Sequence, residues 1–141
     1  LRIITNSIVL AQHLDELRGE IGGSDVILTG GTLFPRSGLL VGPRCVESLR
    51  SFRADIALLS VAGIDSEGVS NNNELAAEVE RAMIERSKSL IVMADHSKIN
   101  HRDLCHVCDL NQVSHLVSDN HSSSEKALSA IESVSLEITR A

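Results

Sequence analysis

Apolar and polar positions change in blocks along this chain, and each change marks an element. Ile3-Ile4 runs into Thr5-Asn6-Ser7, Val26-Ile27-Leu28 into Thr29-Gly30-Gly31, Ile56 through Val61 into Ala62-Gly63-Ile64-Asp65, and Leu90-Ile91-Val92-Met93 into Ala94-Asp95-His96-Ser97-Lys98. Short apolar runs bounded by glycine and polar clusters read as strands. After the first run, Ser7 is placed to cap a helix, and Ile8, Ala11, Leu14 and Leu17 carry helical spacing to about Arg18. Gly19 and Gly22-Gly23 break that helix, and a second strand covers about 25–29. Residues 32–41 read as a loop or short extended piece with Pro35 and Gly38, and Gly42-Pro43 then opens a helix to about Phe52. The run 54–61 is apolar throughout, as expected of a strand covered on both faces.

A polar loop from Ser66 to Asn73 precedes a helix from about Glu74 to Ser87, with Leu75, Val79, Ala82 and Met83 on one side. A strand follows at 89–94. Segment 96–112 is weakly patterned, with room for one short helix near 101–105. A strand at 113–118, a helix capped by Ser122 to Ser124 and ending near Ser133, and a short strand from Leu136 to Thr139 complete the series. Alternating strands and helices predict an α/β fold, a mostly parallel sheet flanked by helices on both faces. In such sheets ligands bind beyond the carboxyl ends of the strands.

At 141 residues the chain fits one domain. Its first residues already belong to a strand, which points to a domain cut from a longer protein. Phe34 and Phe52 are the only aromatics, so the core is aliphatic and sugar-stacking on rings is nearly excluded. A net charge of −6 with no basic run argues against DNA binding by these residues alone. No apolar stretch reaches membrane-spanning length, and no signal-peptide pattern opens the sequence. Three cysteines at no disulfide-framework spacing favour the reducing cytoplasm.

The strand endings supply the candidate chemistry. Thr5-Asn6-Ser7 stands at a helix N-terminus, where free N–H groups and hydroxyls either seat a phosphate or cap the helix. Gly30-Gly31 allows close backbone approach to a ligand or a tight turn. Asp65 is placed to accept from sugar hydroxyls, Asp95 either to do the same or to cap the following turn, and Lys98 either to meet a phosphate as a point charge or to stand as a solvated surface lysine. No dinucleotide or P-loop fingerprint occurs, and no cofactor is expected. Cys105-x-x-Cys108 with His101 is a candidate zinc or redox site with an incomplete ligand pattern, while Cys45 reads as core. The charges Glu74, Glu78, Glu80, Arg81, Glu85 and Arg86 read as a solvated helix face.

In order along nearly the whole chain, Ile3 to Ser7, Leu28-Thr29-Gly30-Gly31, Gly42, Ala54 to Ala57, Gly63-Ile64-Asp65, Arg81 to Ile84, Ala94 to Lys98 and Val117-Ser118-Asp119 resemble the C-terminal sensor domain of DeoR-family transcriptional regulators. The resemblance implies a fold like ribose-5-phosphate isomerase, glucosamine-6-phosphate deaminase and coenzyme A transferases. It also implies a non-enzymatic effector-sensing domain over residues 1–141, which binds a phosphorylated sugar and forms a dimer or tetramer. DNA contact would come through a winged helix-turn-helix domain preceding this chain, with no membrane partner. The implied ligand-binding residues are Thr5, Asn6, Ser7, Gly30, Gly31, Gly63, Asp65, Glu74, Asp95 and Lys98, converging on one rim. Where many relatives carry a carboxylate and a lysine before Arg81, this chain has Ala76 and Glu80, leaving Glu74 or Glu78 to replace the carboxylate. Ile99-Asn100 stands where Phe-Gly is common. An isomerase or deaminase on the same scaffold is the rival reading, but Ala62-Gly63-Ile64-Asp65 lacks one of the paired aspartates of isomerases.

Overall fold

The computed structural model describes residues 1–17, 25–119, 128–129, 131 and 136–140. Two compact units are present, Leu1–Phe52 and Arg53–Ala141.

In the first unit, β1 (Arg2–Thr5) pairs in parallel with β2 (Asp25–Leu28), and α1 (Ile8–Glu16) lies between them in sequence. Ser7 is the predicted cap: its Oγ accepts from the Leu10 N–H at 3.1 Å. The glycines expected to break this helix fall outside the described residues. Residues 32–41, expected as a loop or short extended piece, form a hairpin of β3 (Thr32–Leu33) and β4 (Leu40–Val41). Its turn uses the positive φ of Arg36 and Gly38. The Leu40 N–H donates to the Asn6 carbonyl at 2.8 Å, which holds Leu40 and Val41 in buried positions. Helix α2 (Pro43–Arg50) starts at the predicted proline and buries Cys45 and Leu49.

The second unit contains a parallel sheet ordered β11-β10-β8-β5, from β5 (Ala54–Ser60), β8 (Ser87–Met93), β10 (His115–Ser118) and β11 (Glu137–Arg140). The α/β class and parallel sheet match the sequence expectation. Register aligns Ala57 with Leu90, and Leu59 and Leu116 with Val92. That face packs with Ala77, Leu128 and Ile131 in one buried cluster. Full burial of such side chains contributes about 1.5–3 kcal/mol each. The expectation that 54–61 is covered on both faces is corrected: Ile56 and Leu58 are each 57% exposed. Successive strands step across the sheet in one direction.

A second, antiparallel sheet, ordered β6-β7-β9, contains β6 (Gly63–Asp65), β7 (Gly68–Asn71) and β9 (Cys105–Asp109). Here two expectations fail. The polar loop 66–73 contains a strand, and 101–105 is a connection into β9 rather than a helix. Strand β7 escapes the hydrophobic pattern because its polar groups are buried but bonded. Ser70 Oγ donates to the Gly63 carbonyl at 3.4 Å and accepts from the Asp103 N–H at 2.9 Å. Helix α3 (Glu74–Glu85), capped by Asn73, buries Ala77, Val79 and Ala82. Leu75, grouped with Val79 and Ala82 on one side of the helix by spacing, is 42% exposed. The helix expected at 122–133 lies mostly outside the described residues.

Candidate functional site

The expected site residues are divided between the two units. In the first, Thr5-Asn6-Ser7 is committed locally. Thr5 Oγ1 accepts from the Ser7 N–H at 3.0 Å, and Asn6 Nδ2 donates to the Leu40 carbonyl at 2.9 Å. The two glycines differ. A Cβ on Gly31 would lie 2.7 Å from the Val41 carbonyl oxygen, so close packing requires this glycine. A Cβ on Gly30 would meet nothing within 4 Å, so its backbone borders open space.

In the second unit, Gly63 is fixed by packing, since a Cβ there would stand 2.4 Å from the His101 carbonyl oxygen. Asp65 closes the β6–β7 turn. Its Oδ1 accepts from the Glu67 and Gly68 N–H groups at 2.9 and 3.3 Å, and its Oδ2 accepts from Arg102 at 2.7 Å. Burial opposes Asp65 ionisation, but the Glu67 N–H and the Arg102 guanidinium outweigh it and hold the carboxyl below the usual range. Arg102 also reaches Glu67 at 2.8 Å. Sequence reasoning missed Arg102, and no motif marked it. The adjoining cavity, about 300 Å³, is lined by Asp65, Glu67, Arg102, Asp103 and His106 among others. Its guanidinium is spent on two carboxylates, which disfavours an anion there.

The loop after β8 has a different character. Asp95 Oδ1 accepts from the Ser97 N–H at 2.8 Å, and the Lys98 N–H donates to the Asp95 carbonyl at 2.9 Å. The Ser97 hydroxyl and N–H lower the Asp95 pKa. The Ile64 N–H donates to the Lys98 carbonyl at 2.9 Å, and the Asn100 N–H donates to the Ile64 carbonyl at 2.8 Å. Asp65, Asp95 and Lys98 therefore sit on hydrogen-bonded neighbouring segments. Glu74 is exposed at the first position of α3, on an element separate from that pairing.

Glu80 departs from the expected solvated face. Its Oε1 accepts from Asn71 Nδ2 at 2.8 Å, while Oε2 is buried without a partner. Burial raises its pKa to about 7 against the opposing Asn71 bond and Arg81 charge.

Among the described residues no group of three or more His, Cys, Asp or Glu side chains stands close enough to hold an ion. His101 instead faces Asp103 at 3.5 Å. Burial, then the Asp109 and Glu80 charges, push the Cys108 thiol up to about 11. Only the thiolate is reactive. Cys108 and buried Cys45 should therefore stay unlabelled by iodoacetamide in the native protein near neutral pH and label on unfolding, as read by mass spectrometry. Rapid native labelling at Cys108 would contradict this placement.

Among the described residues no helix is long and apolar enough to cross a membrane. Comparison with known proteins agrees with the fold. The HTH-type transcriptional repressor GlcR of Bacillus subtilis is 35% identical over 117 residues, covering 83% of this chain and 44% of that protein. The HTH-type transcriptional regulator YulB of the same species is 38% identical over 120 residues, covering 84% and 45%. The glycerol-3-phosphate regulon repressor of Escherichia coli is 29% identical over 123 residues, covering 84% and 46%. These relatives are transcriptional regulators, not enzymes, and the chain spans under half their length. A family profile described as the DeoR C terminal sensor domain matches residues 1–120, and the chain belongs to that family.

Proposed function

We propose that this domain senses a phosphorylated sugar and that binding alters how copies of the full regulator associate, and so how attached DNA-binding domains are presented. The observation that carries this reading is the Asp95–Lys98 loop, held at a strand end beside Asp65. It offers a carboxylate acceptor for hydroxyls and an ammonium for a phosphate. Among the described residues Lys98 forms no ion pair, so its charge is not already neutralised. In the first unit, Gly30 is the expected binding residue whose backbone borders open space. One relative's name, a glycerol-3-phosphate regulon repressor, supports a small phosphorylated effector. A ligand changes assembly only through its differential affinity for the two states. The full protein is accordingly a cytoplasmic homo-oligomer that reaches DNA through another domain.

Thermal unfolding with a panel of sugar phosphates, glycerol 3-phosphate and the matching free sugars tests the reading. Ligand at a hundred times its Kd stabilises by about 2.7 kcal/mol, a rise of roughly 5 °C or more for a domain this size. Lys98→Ala should remove the response. A protein that responds to free sugars and ignores every phosphorylated partner refutes the proposal, and turnover of an aldose phosphate would favour an enzyme instead.

A further inference from the structure

Strands β8 and β10 are parallel neighbours whose pairing runs to Val117 opposite Met93, and the Ala94 N–H extends it by donating to the Val117 carbonyl at 3.0 Å. Beyond that point the pairing of β8 with β10 ends, and a side chain rejoins the two segments. Asp119 Oδ1 accepts from the His96 backbone N–H at 2.8 Å, and Asp119 Oδ2 lies 2.6 Å from His96 Nδ1. This is a two-point grip on one residue, and both side chains are about two-fifths exposed. His96 stands between Asp95 and Lys98. The far end of the same loop is tied by backbone bonds to Ile64. The Asp119 grip is therefore a restraint on this loop that a single side-chain substitution removes.

We propose that Asp119 is a positioning residue for effector binding: by gripping His96 from the end of the neighbouring strand, it presets the loop that presents Asp95 and Lys98. This rests on the sugar-phosphate reading above. A loop ordered in advance loses little freedom when ligand arrives, so more of the contact energy appears as affinity. Asp119 need not touch the ligand. The His96 contact also lowers the Asp119 pKa, so the grip is made by a carboxylate.

The test uses the full chain, the phosphorylated panel, and the variants Asp119→Ala, Asp119→Asn and Lys98→Ala, with affinity measured by calorimetry. Asp119→Ala should weaken binding about tenfold while the melting temperature stays within about 2 °C. Asp119→Asn, which keeps an acceptor for the His96 N–H, should recover part of the loss. Hydrogen exchange should quicken at residues 96–98 in Asp119→Ala and stay slow in β8. If Lys98→Ala fails to bind while Asp119→Ala binds like wild type, the positioning role is wrong and the site reading survives. If Asp119→Ala loses binding and melting temperature together and Asp119→Asn restores neither, Asp119 only holds the fold and the proposal falls. If wild type binds no phosphorylated member, the site reading fails and takes this proposal with it.

Discussion

At about pH 8, Glu80→Gln unfolds at a higher urea concentration than the wild type, and the gap between them narrows by about 2 kcal/mol on moving to about pH 5. The sign follows from burial. In the folded chain the Glu80 carboxyl keeps its proton up to about 7, against an ordinary value of 4.5. Below the lower value both folded and unfolded chains are protonated, and no penalty exists. Between the two values the unfolded chain ionises first, so stability falls as pH rises. Above the upper value both forms are ionised, and the folded state carries the whole cost of a buried carboxylate with one unpartnered oxygen. Glutamine keeps an oxygen to accept from Asn71 Nδ2 and has no charge to bury. Its amide N–H₂ lacks an acceptor at the Oε2 position, which costs about 1 kcal/mol. That cost lowers the whole difference curve but does not change its slope with pH. Every other titrating group is common to both proteins and cancels in the difference. A gap that stays flat across this range would show that Glu80 is solvated.

Glu80 also shows where sequence reading ran out. Its neighbours Glu78 and Arg81 are exposed, as the charge pattern implied, and nothing in the spacing distinguishes Glu80 from them. Its burial comes from Asn71, on a strand that the hydrophobic pattern missed because Ser70 and Asn71 are polar yet buried at 4% and 9% exposure. The parallel sheet was legible because aliphatic runs ending at glycine and hydroxyl clusters leave few alternatives. Caps at Ser7 and the start at Pro43 were legible because they depend on local chemistry alone. The antiparallel sheet was not, since β7 carries buried polar residues in place of an apolar run and β9 lies in the weakly patterned segment 96–112. The same holds within the candidate site. Asp65 and Lys98 stood out as strand-end residues, whereas Arg102, which bonds Asp65 Oδ2, and Asp119, which grips His96, are defined only by long-range contacts.

Gly68→Ala carries the largest expected penalty, a loss of roughly 3–5 kcal/mol in unfolding free energy. A Cβ at this position would lie 2.1 Å from the Cys108 carbonyl oxygen and 3.0 Å from the Asp109 Cα. These are backbone atoms of the paired strand, so relief requires β7 and β9 to separate. The φ of +143° adds strain for any side chain. Gly30→Ala is the control: its φ is +73°, but a Cβ there meets no atom within 4 Å. The control should cost only about 1 kcal/mol, the price of a left-handed alanine. Chemical unfolding of both variants measures the contrast, and a Gly68→Ala protein within about 1 kcal/mol of wild type would mean that β7 and β9 are not paired as described. The consequence extends to the site. The Gly68 N–H donates to Asp65 Oδ1, so a turn displaced at Gly68 also loosens the carboxylate that holds Arg102. Gly30→Ala leaves that network intact while filling open space beside the first unit's candidate binding groups. The two substitutions thus separate close packing from backbone conformation: Gly68→Ala should lose stability through the β7–β9 clash, and Gly30→Ala should stay folded with only the cost of its positive φ.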